Sequence, residues 1–389
     1  MQDRDADPDE SAGLDAPAGA ASNGFPCAQC GGDLAFDPEA GALACRYCGH
    51  RQPPPDIDPF TRAEALRELD YAAALADAID ASETETTIVV PCDSCGAEVA
   101  FDGPQTARAC PFCAAPLVAE SRAHRHFKPK AAAPFLISEK RARDALRRWL
   151  GSRWFAPGDL VERVRAGRPL SGVYLPYWTF DADTRSDYDG QRGDVHYVTR
   201  WVSVRRKGVS RRVKRRVPQV RWSARSGRVA RRFDDVLVLA SKSLPPSLTR
   251  KLNAEGAFDL DGLLPYAPEY LAGFGAESYR VDLEEGYAGA KGVMAYTIRR
   301  DVRLDIGGDR QRIHRIDTQY ADVTFKHVLL PVWIAAYRYR GKVFRYLVNG
   351  RTGVVMGERP WSWWKIAFAG AAALIFGAAL LWLAVEIDG

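Results

Sequence analysis

The residues best suited to chemistry are the eight cysteines, which all fall between Cys27 and Cys113 as four Cys-x-x-Cys pairs. The pairs are Cys27/Cys30, Cys45/Cys48, Cys92/Cys95 and Cys110/Cys113. A Cys-x-x-Cys turn bends so that two sulfurs face one point, and two such turns joined by a hairpin close a tetrahedron around zinc. Four thiolates leave no open coordination position for a substrate, so the implied cofactor is two structural zinc ions. Gly31, Gly49 and Gly96 directly follow the second cysteine of a pair, where such knuckles often need a positive φ; Ala114 departs from this pattern. His50, beside Cys48, is a spare ligand that four available thiolates make unnecessary. Redox Cys-x-x-Cys chemistry and disulfides are the competing readings. A secreted disulfide protein scatters its cysteines, whereas paired spacing points to metal-held thiolates in a reducing compartment.

The cysteine units are copies. Pro26-Cys27-Ala28-Gln29-Cys30-Gly31 matches Pro91-Cys92-Asp93-Ser94-Cys95-Gly96, and Phe36-Asp37 matches Phe101-Asp102, at a constant offset of 65 positions. Units this small have almost no core, so the metal supplies their folding free energy, ~10–16 kcal/mol for structural zinc.

A second concentration of functional groups is basic. Between Val195 and Phe233 there is no Asp or Glu, but Arg205, Arg206, Lys207, Arg211, Arg212, Lys214, Arg215 and Arg216 form a dense run, followed by Arg221, Arg225, Arg228, Arg231 and Arg232. Interleaved Val202, Val204, Val213, Val217 and Val220 make this a twisted hairpin turning near Gly208-Val209-Ser210, with one strongly positive face. Three readings stand open. The face could meet anionic lipid or an acidic partner protein, or nucleic-acid phosphates, or be a solvated edge whose charge blocks aggregation.

The third feature is Ile366–Val385, about 20 residues without a charge, enough to span ~30 Å of hydrocarbon. Trp361, Trp363 and Trp364 precede it and Trp382 sits near its far end, as in the aromatic belts of membrane spans. Arg351, Arg359 and Lys365 lie on the N-terminal side, Glu386 and Asp388 beyond. The positive-inside rule therefore places the bulk of the chain in the cytoplasm and the C-terminus outside, with membrane lipid as one partner.

The elements that position these groups follow from local signals. Residues 1–24 are acidic and rich in Ala, Gly and Pro, the composition of a disordered tail, and carry no signal-peptide pattern. Thr61 and Glu64 fit a capping box for a helix with Leu66, Leu69, Tyr71 and Leu75 as its apolar stripe. Ser138 caps a helix through Ala142, Leu146 and Leu150, closed by Gly151. Another helix runs about Asp282–Tyr296, despite Gly286, Gly289 and Gly292. Val173-Tyr174-Leu175-Pro176-Tyr177-Trp178 reads as a strand echoed by Val328-Leu329-Leu330-Pro331-Val332-Trp333, each followed by alternating residues and a Gly turn at Gly190 or Gly341. This suggests a duplicated β unit. Asn349-Gly350 marks a hairpin turn between 343–348 and 354–356. The expected fold is α+β and multidomain: the tail over 1–24, a zinc ribbon over 25–51, a helical linker over 52–88, a second ribbon over 89–120, a β-rich mixed domain over 121–358, and a transmembrane anchor with a short tail over 359–389.

No Gly-x-Ser-x-Gly elbow, His-Glu-x-x-His helix, Rossmann glycine set or kinase signature occurs in the sequence. His124 and His126 flank Arg125 as surface residues or a metal or partner contact, and Asp305 and Asp309 around Gly307-Gly308 read as a tight turn, with a cation site as the alternative. The expectation is a non-enzymatic protein.

The double ribbon, Pro134-Phe135, the two Leu-Pro-x-Trp strands, Phe233-Asp234-Asp235-Val236-Leu237-Val238, Tyr270-Leu271-Ala272-Gly273-Phe274, Asp305-Ile306-Gly307-Gly308-Asp309 and Val348-Asn349-Gly350-Arg351-Thr352-Gly353 together resemble a family of bacterial zinc-ribbon membrane proteins, often labelled primosomal-helicase-like or zinc-ribbon domain proteins. The resemblance covers about nine-tenths of the chain. It implies membrane-associated protein partners of the phage-shock or flotillin-like, envelope-stress kind. A helicase motor would need a Gly-x-x-x-x-Gly-Lys-Ser/Thr loop to cradle phosphates; Gly341-Lys342 is followed by Val343, and no such loop occurs in the sequence. The chain therefore reads as an adaptor, with a membrane-tethered nucleic-acid-binding protein as the alternative.

Overall fold

The computed structural model describes residues 25–54, 57–76, 78–93, 97–100, 108–110, 112, 115–117, 122–153, 170–206, 209–245, 247, 248, 251, 258, 260, 262–339, 342–358 and 362–388. The acidic stretch 1–24, Cys95, Cys113, the Gly96 and Ala114 positions, Phe101-Asp102, Lys207, Gly341, Arg359 and Trp361 lie outside the described residues. Within these, the fold is mixed α+β, built on one 12-stranded sheet with a 3-stranded and a 2-stranded sheet beside it.

The sheet is organised by the expected duplication, in a form the strand motif alone did not show. Each copy is a short strand, a helix and a hairpin. The first comprises Ala131–Ala132, the helix Glu139–Gly151, and strands Ser171–Arg206 and Val209–Leu239; the second comprises Gly275–Glu277, the helix Leu283–Ile306, and strands Arg310–Tyr339 and Lys342–Asn349. The copies interlock. The two long leading strands pair antiparallel through the motif, with Tyr174 opposite Pro331 and Pro176 opposite Leu329. Each copy's short strand pairs parallel with the other copy's long strand, Ala131 opposite Val328 and Gly275 opposite Val173. The Pro176 carbonyl accepts from the Ala240 amide at 2.9 Å, and Pro331 accepts from Gly350 at the same distance.

Local signals explain most helix boundaries. Ser138 Oγ accepts from the Arg141 amide, so the expected cap is in place, and Asp282 Oδ1 caps the other helix by accepting from the Glu285 amide at 2.7 Å. The second helix runs ten residues past Tyr296, to Ile306. Its Gly286 is a packing site: a Cβ there would lie 2.6 Å from Trp178 Cδ1. The helix buries Tyr287, Met294, Ile298, Val302 and Ile306 against Trp178, Phe180, Tyr188, Phe233 and Phe325.

Three expectations are corrected. The first helix, Pro59–Ala65, is capped by Asp58 rather than Thr61; Pro59 at its first position cannot donate an amide, and the Asp58 carboxylate takes those of Phe60 and Thr61. The stripe Leu66, Leu69, Tyr71, Leu75 is not one helix: Leu69–Asp70 pairs as a strand with Thr324 and Phe325, and Asp70 then caps a separate turn, Tyr71–Leu75. Gly190 is not a turn; the strand continues through it, with the Arg312 carbonyl where a Cβ would stand. The Asn349 turn is wider than two residues. Asn349 Oδ1 takes the amides of Arg351 and Thr352, and the chain returns at Val355–Gly357.

The two cysteine units are held differently. The first forms the three-stranded sheet of Leu34–Asp37, Ala42–Cys45 and Arg51–Gln52. Its Phe36 meets Tyr270 edge-on at 5.7 Å, and the Phe36 amide donates to the Ala272 carbonyl. The second is built into the main sheet: Thr84–Pro91 and Glu98–Ala100 are two of its strands, and Cys92, Cys110 and Phe112 share a core with Val173, Tyr177 and Leu347.

Candidate metal centre and basic arm

Four sulfurs converge in the first unit. Cys27, Cys30, Cys45 and Cys48 have their Sγ atoms within 4.8 Å of one another. Cys27 and Cys48 are 3.6 Å apart and Cys30 and Cys45 3.4 Å. A disulfide would bring sulfurs to about 2.05 Å, whereas a tetrahedron with Zn–S bonds of about 2.3 Å has edges near 3.8 Å. The donor set and its spacing therefore fit a tetrahedral thiophilic metal ion such as zinc. Gly31 and Gly49 take φ of +72° and +74°, as the knuckle reading requires. Crowding splits the thiol equilibria. Hydrogen bonding from the Cys48 amide lowers Cys45 to about 6. At Cys30 the Gly32 amide favours the thiolate, but the neighbouring Cys45 and Cys48 thiols hold it up at about 12. Four thiols so close cannot all ionise without a cation among them.

In all four Cys-x-x-Cys turns the first cysteine's amide closes the loop on the residue five positions on. Cys27 donates to Gly32 at 2.7 Å, Cys45 to His50 at 2.8 Å, Cys92 to Ala97 at 2.8 Å and Cys110 to Ala115 at 2.7 Å. The first cysteine of each pair is also buried. The second unit thus shares these two loop-closing bonds with the first; Cys95 and Cys113 are outside the described residues. His50 contributes its carbonyl to the turn and does not join the sulfur cluster.

His126 is corrected from the surface expectation. It is buried, with its ring 4.6 Å from that of Tyr279. The side chain of His124 is outside the described residues. The Gly307-Gly308 turn is as expected, and it sets Asp309 to accept the Val195 amide at 2.7 Å, where the third strand of the ladder ends.

One charged cluster was not anticipated. Glu68, Asp181 and Asp235 converge within 4.8 Å, and Lys326 lies 2.8 Å from both Glu68 and Asp235. The register slips at Asp181 against both neighbouring strands, and Asp235 sits at φ +51° with its amide on the Asp181 carboxylate. Burial raises the Asp181 carboxyl to about 7. The cluster carries its own cation in Lys326. It ties the segment between the cysteine units to the ladder and has no need of a metal. Its members are up to 258 positions apart, so no short-range pattern could have revealed it.

The basic stretch is a hairpin, as expected, but much longer than the word suggests. Ser171–Arg206 and Val209–Leu239 pair antiparallel from Tyr177/Leu239 to Arg206/Val209, with the one slip at Asp181. The strand Arg310–Tyr339 covers one edge only as far as Gly193. Beyond it a two-stranded ribbon continues alone from Asp194/Arg221, ~40 Å at ~3.3 Å per residue. Arg212, Lys214, Arg215 and Arg216 are exposed on it; Lys207 and the side chains of Arg205, Arg206 and Arg211 are outside the described residues. Lys214 lies over Trp201 at 5.2 Å and Arg216 over Tyr197 at 5.3 Å.

The C-terminal helix runs Trp363–Asp388 and is a candidate membrane span: none of Trp363–Leu380 is buried against the rest of the chain. Trp363 and Trp364 are exposed at its start, Lys365 follows them, and the side chain of Trp382 is outside the described residues.

No family model matches the chain, and no solved structure matches it. An uncharacterized protein of Bacillus subtilis, YdjG, is similar: 27% identical over 357 residues, covering 90% of this chain and 95% of the relative. The likeness therefore extends over nearly the whole of both chains.

Proposed function

We propose that this chain is a non-enzymatic adaptor held in a cytoplasmic membrane by its C-terminal helix, with two structural zinc ions and its bulk on the cytoplasmic side. The observation that carries the reading is the recurrence of one closed turn at Cys27, Cys45, Cys92 and Cys110. The same loop-closing bond at Cys92 and Cys110, together with the repeated Cys-x-x-Cys spacing, supports a second all-thiolate site at Cys92, Cys95, Cys110 and Cys113. Closed sites stabilise surfaces rather than perform reactions. Arg351, Arg359 and Lys365 before the apolar helix, with no Lys or Arg among the residues after it, support this orientation. The Trp363/Trp364 pair and Trp382 suit its two interfaces.

The surfaces so presented bind protein partners at the membrane, of the envelope-stress kind that the sequence resemblance implies. Full-length protein extracted from washed membranes should carry about two zinc equivalents, and pull-down from native membranes should recover membrane or envelope-stress proteins. A metal-free protein, or one that carbonate washing releases, overturns the architecture. Recovery of replication proteins alone overturns the choice of partner. A second reading, a membrane-tethered nucleic-acid-binding protein, draws on the lone basic ribbon.

A further inference from the structure

The basic arm is an elaboration of one half of a duplicated unit. The second copy's hairpin turns between Tyr339 and Lys342, close to the sheet. The first copy's turns only between Arg206 and Val209. The long helix and the strand Arg310–Tyr339 brace the arm to about Gly190–Gly193, and it continues beyond them unsupported. A bare two-stranded ribbon is marginal in water, and this one carries a further cost. Arg200 stands directly opposite Arg215, a like-charge cross-strand pair. Among the described residues no carboxylate pairs with Arg200, Arg212, Lys214, Arg215 or Arg216; the ion pairs along the ladder stop at Arg192–Asp194 and Arg228–Asp187.

The register sorts the cations onto both faces. Arg212, Lys214 and Arg216 share one face with Tyr197 and Trp201, spaced ~6.7 Å apart, two residues at a time. Arg200 and Arg215 lie on the other, between the Val198/Val217 and Val202/Val213 pairs. A lipid surface is flat and meets one face of a ribbon. The major groove of B-form DNA has phosphates on both walls and admits a two-stranded ribbon.

Position argues the same way. The strand Val355–Gly357 lies at the end of the ladder near Ser171/Ile334, and Trp363 follows within ~20 Å of extended chain. From that level to Arg206 the first strand runs on the order of 100 Å. Counted along the ladder, the arm lies at the end opposite the strand that leads into the C-terminal helix.

We propose that the arm binds duplex nucleic acid through its phosphates, without base readout, which makes the adaptor a tether between the membrane and a polyanion. The inference rests on the anchored reading above for its setting, not for its chemistry.

The test uses full-length protein in phosphatidylcholine nanodiscs and a fluorescein-labelled random-sequence DNA duplex of about 30 base pairs. Binding should weaken steeply with salt. The variant R200Q/R212Q/K214Q/R216Q should lose at least about tenfold in affinity at low salt. Its log–log salt slope should be shallower by about three to four, near 0.9 for each phosphate that it no longer neutralises. Trypsin cleavage within 200–216 should be blocked by the duplex, which needs no variant. No binding at about 50 mM salt, or equal binding by the variant, overturns the proposal. So does trypsin protection by nanodiscs containing phosphatidylserine without protection by the duplex, which would assign the arm to lipid. Zinc content and nanodisc incorporation of the same samples report the anchored zinc-ribbon reading separately.

Discussion

The indole of Trp178 donates to the carbonyl of Val281 at 2.9 Å. Trp333 makes the matching bond to Ile137 at 2.8 Å, and each acceptor is the residue just before a helix N-cap, Asp282 or Ser138. The aromatic neighbours match too: Tyr279 packs on Trp178 at 4.8 Å and Phe135 on Trp333 at 5.0 Å. Each half of the duplication thus positions the helix of the other, with buried donors that would be costly to orphan. Trp178→Phe should keep the ring in the core but leave the Val281 carbonyl without its donor. We expect a loss of about 1–3 kcal/mol by thermal or denaturant unfolding in detergent. An unchanged midpoint would mean the bond does not fix the helix.

Gly286 faces that same indole, while Gly292 on the same helix has nothing near a potential Cβ. Gly286→Ala should destabilise by about 1–3 kcal/mol through overpacking. Gly292→Ala should stabilise by about 0.5–1 kcal/mol through helix propensity. Equal effects at the two sites would contradict this packing.

The two cysteine units should respond differently to ligand loss, because only the second is woven into the main sheet. Cys92→Ser and Cys30→Ser should each lower zinc from about two equivalents to about one. Amide exchange at Val89, Val90 and Val173 should rise only in Cys92→Ser. Matching exchange profiles would show the second unit to be as separable as the first.

Asp181 gives a pH dependence of definite sign. Its folded carboxyl titrates at about 7 because it is buried, against about 3.9 in an unfolded chain. The folded state then binds more protons between these values, and stability falls as pH rises through the window. Asp181→Asn keeps the acceptor for the Asp235 amide but removes the charge. It should match the parent near pH 5 and be more stable near pH 8, on the order of 1 kcal/mol after screening at a half-exposed site. A difference between parent and variant that stays the same from pH 5 to 8 would sink this account.

Phe376 is 67% exposed on the C-terminal helix. On a soluble helix Phe376→Arg would be harmless. In a bilayer it costs about 2.5–3.5 kcal/mol at the helix centre, so the variant should become extractable by carbonate. Unchanged membrane retention would contradict the span.

Features whose physics is local could be read from the residues alone. Two cysteines three positions apart share one turn, a Ser or Asp before a helix takes the third amide, and an uncharged run of about 20 residues has one comfortable solvent. These placed the thiol cluster, the cap at Ser138, the start of a helix about Asp282 and the candidate span, and the Leu-Pro-x-Trp echo hinted at duplication. The remaining features came from long-range pairing. That Val173 finds Val332 and Gly275, that the second cysteine unit lends strands to the main sheet, that His126 lies buried on Tyr279, and that Lys326 reaches Glu68 all depend on pairings between segments distant in sequence. Strand pairing depends on which partner covers which face, and alternation marks a strand without naming its neighbour or its end. That is why the basic run was legible as a hairpin, while its bare length beyond Gly193 was not.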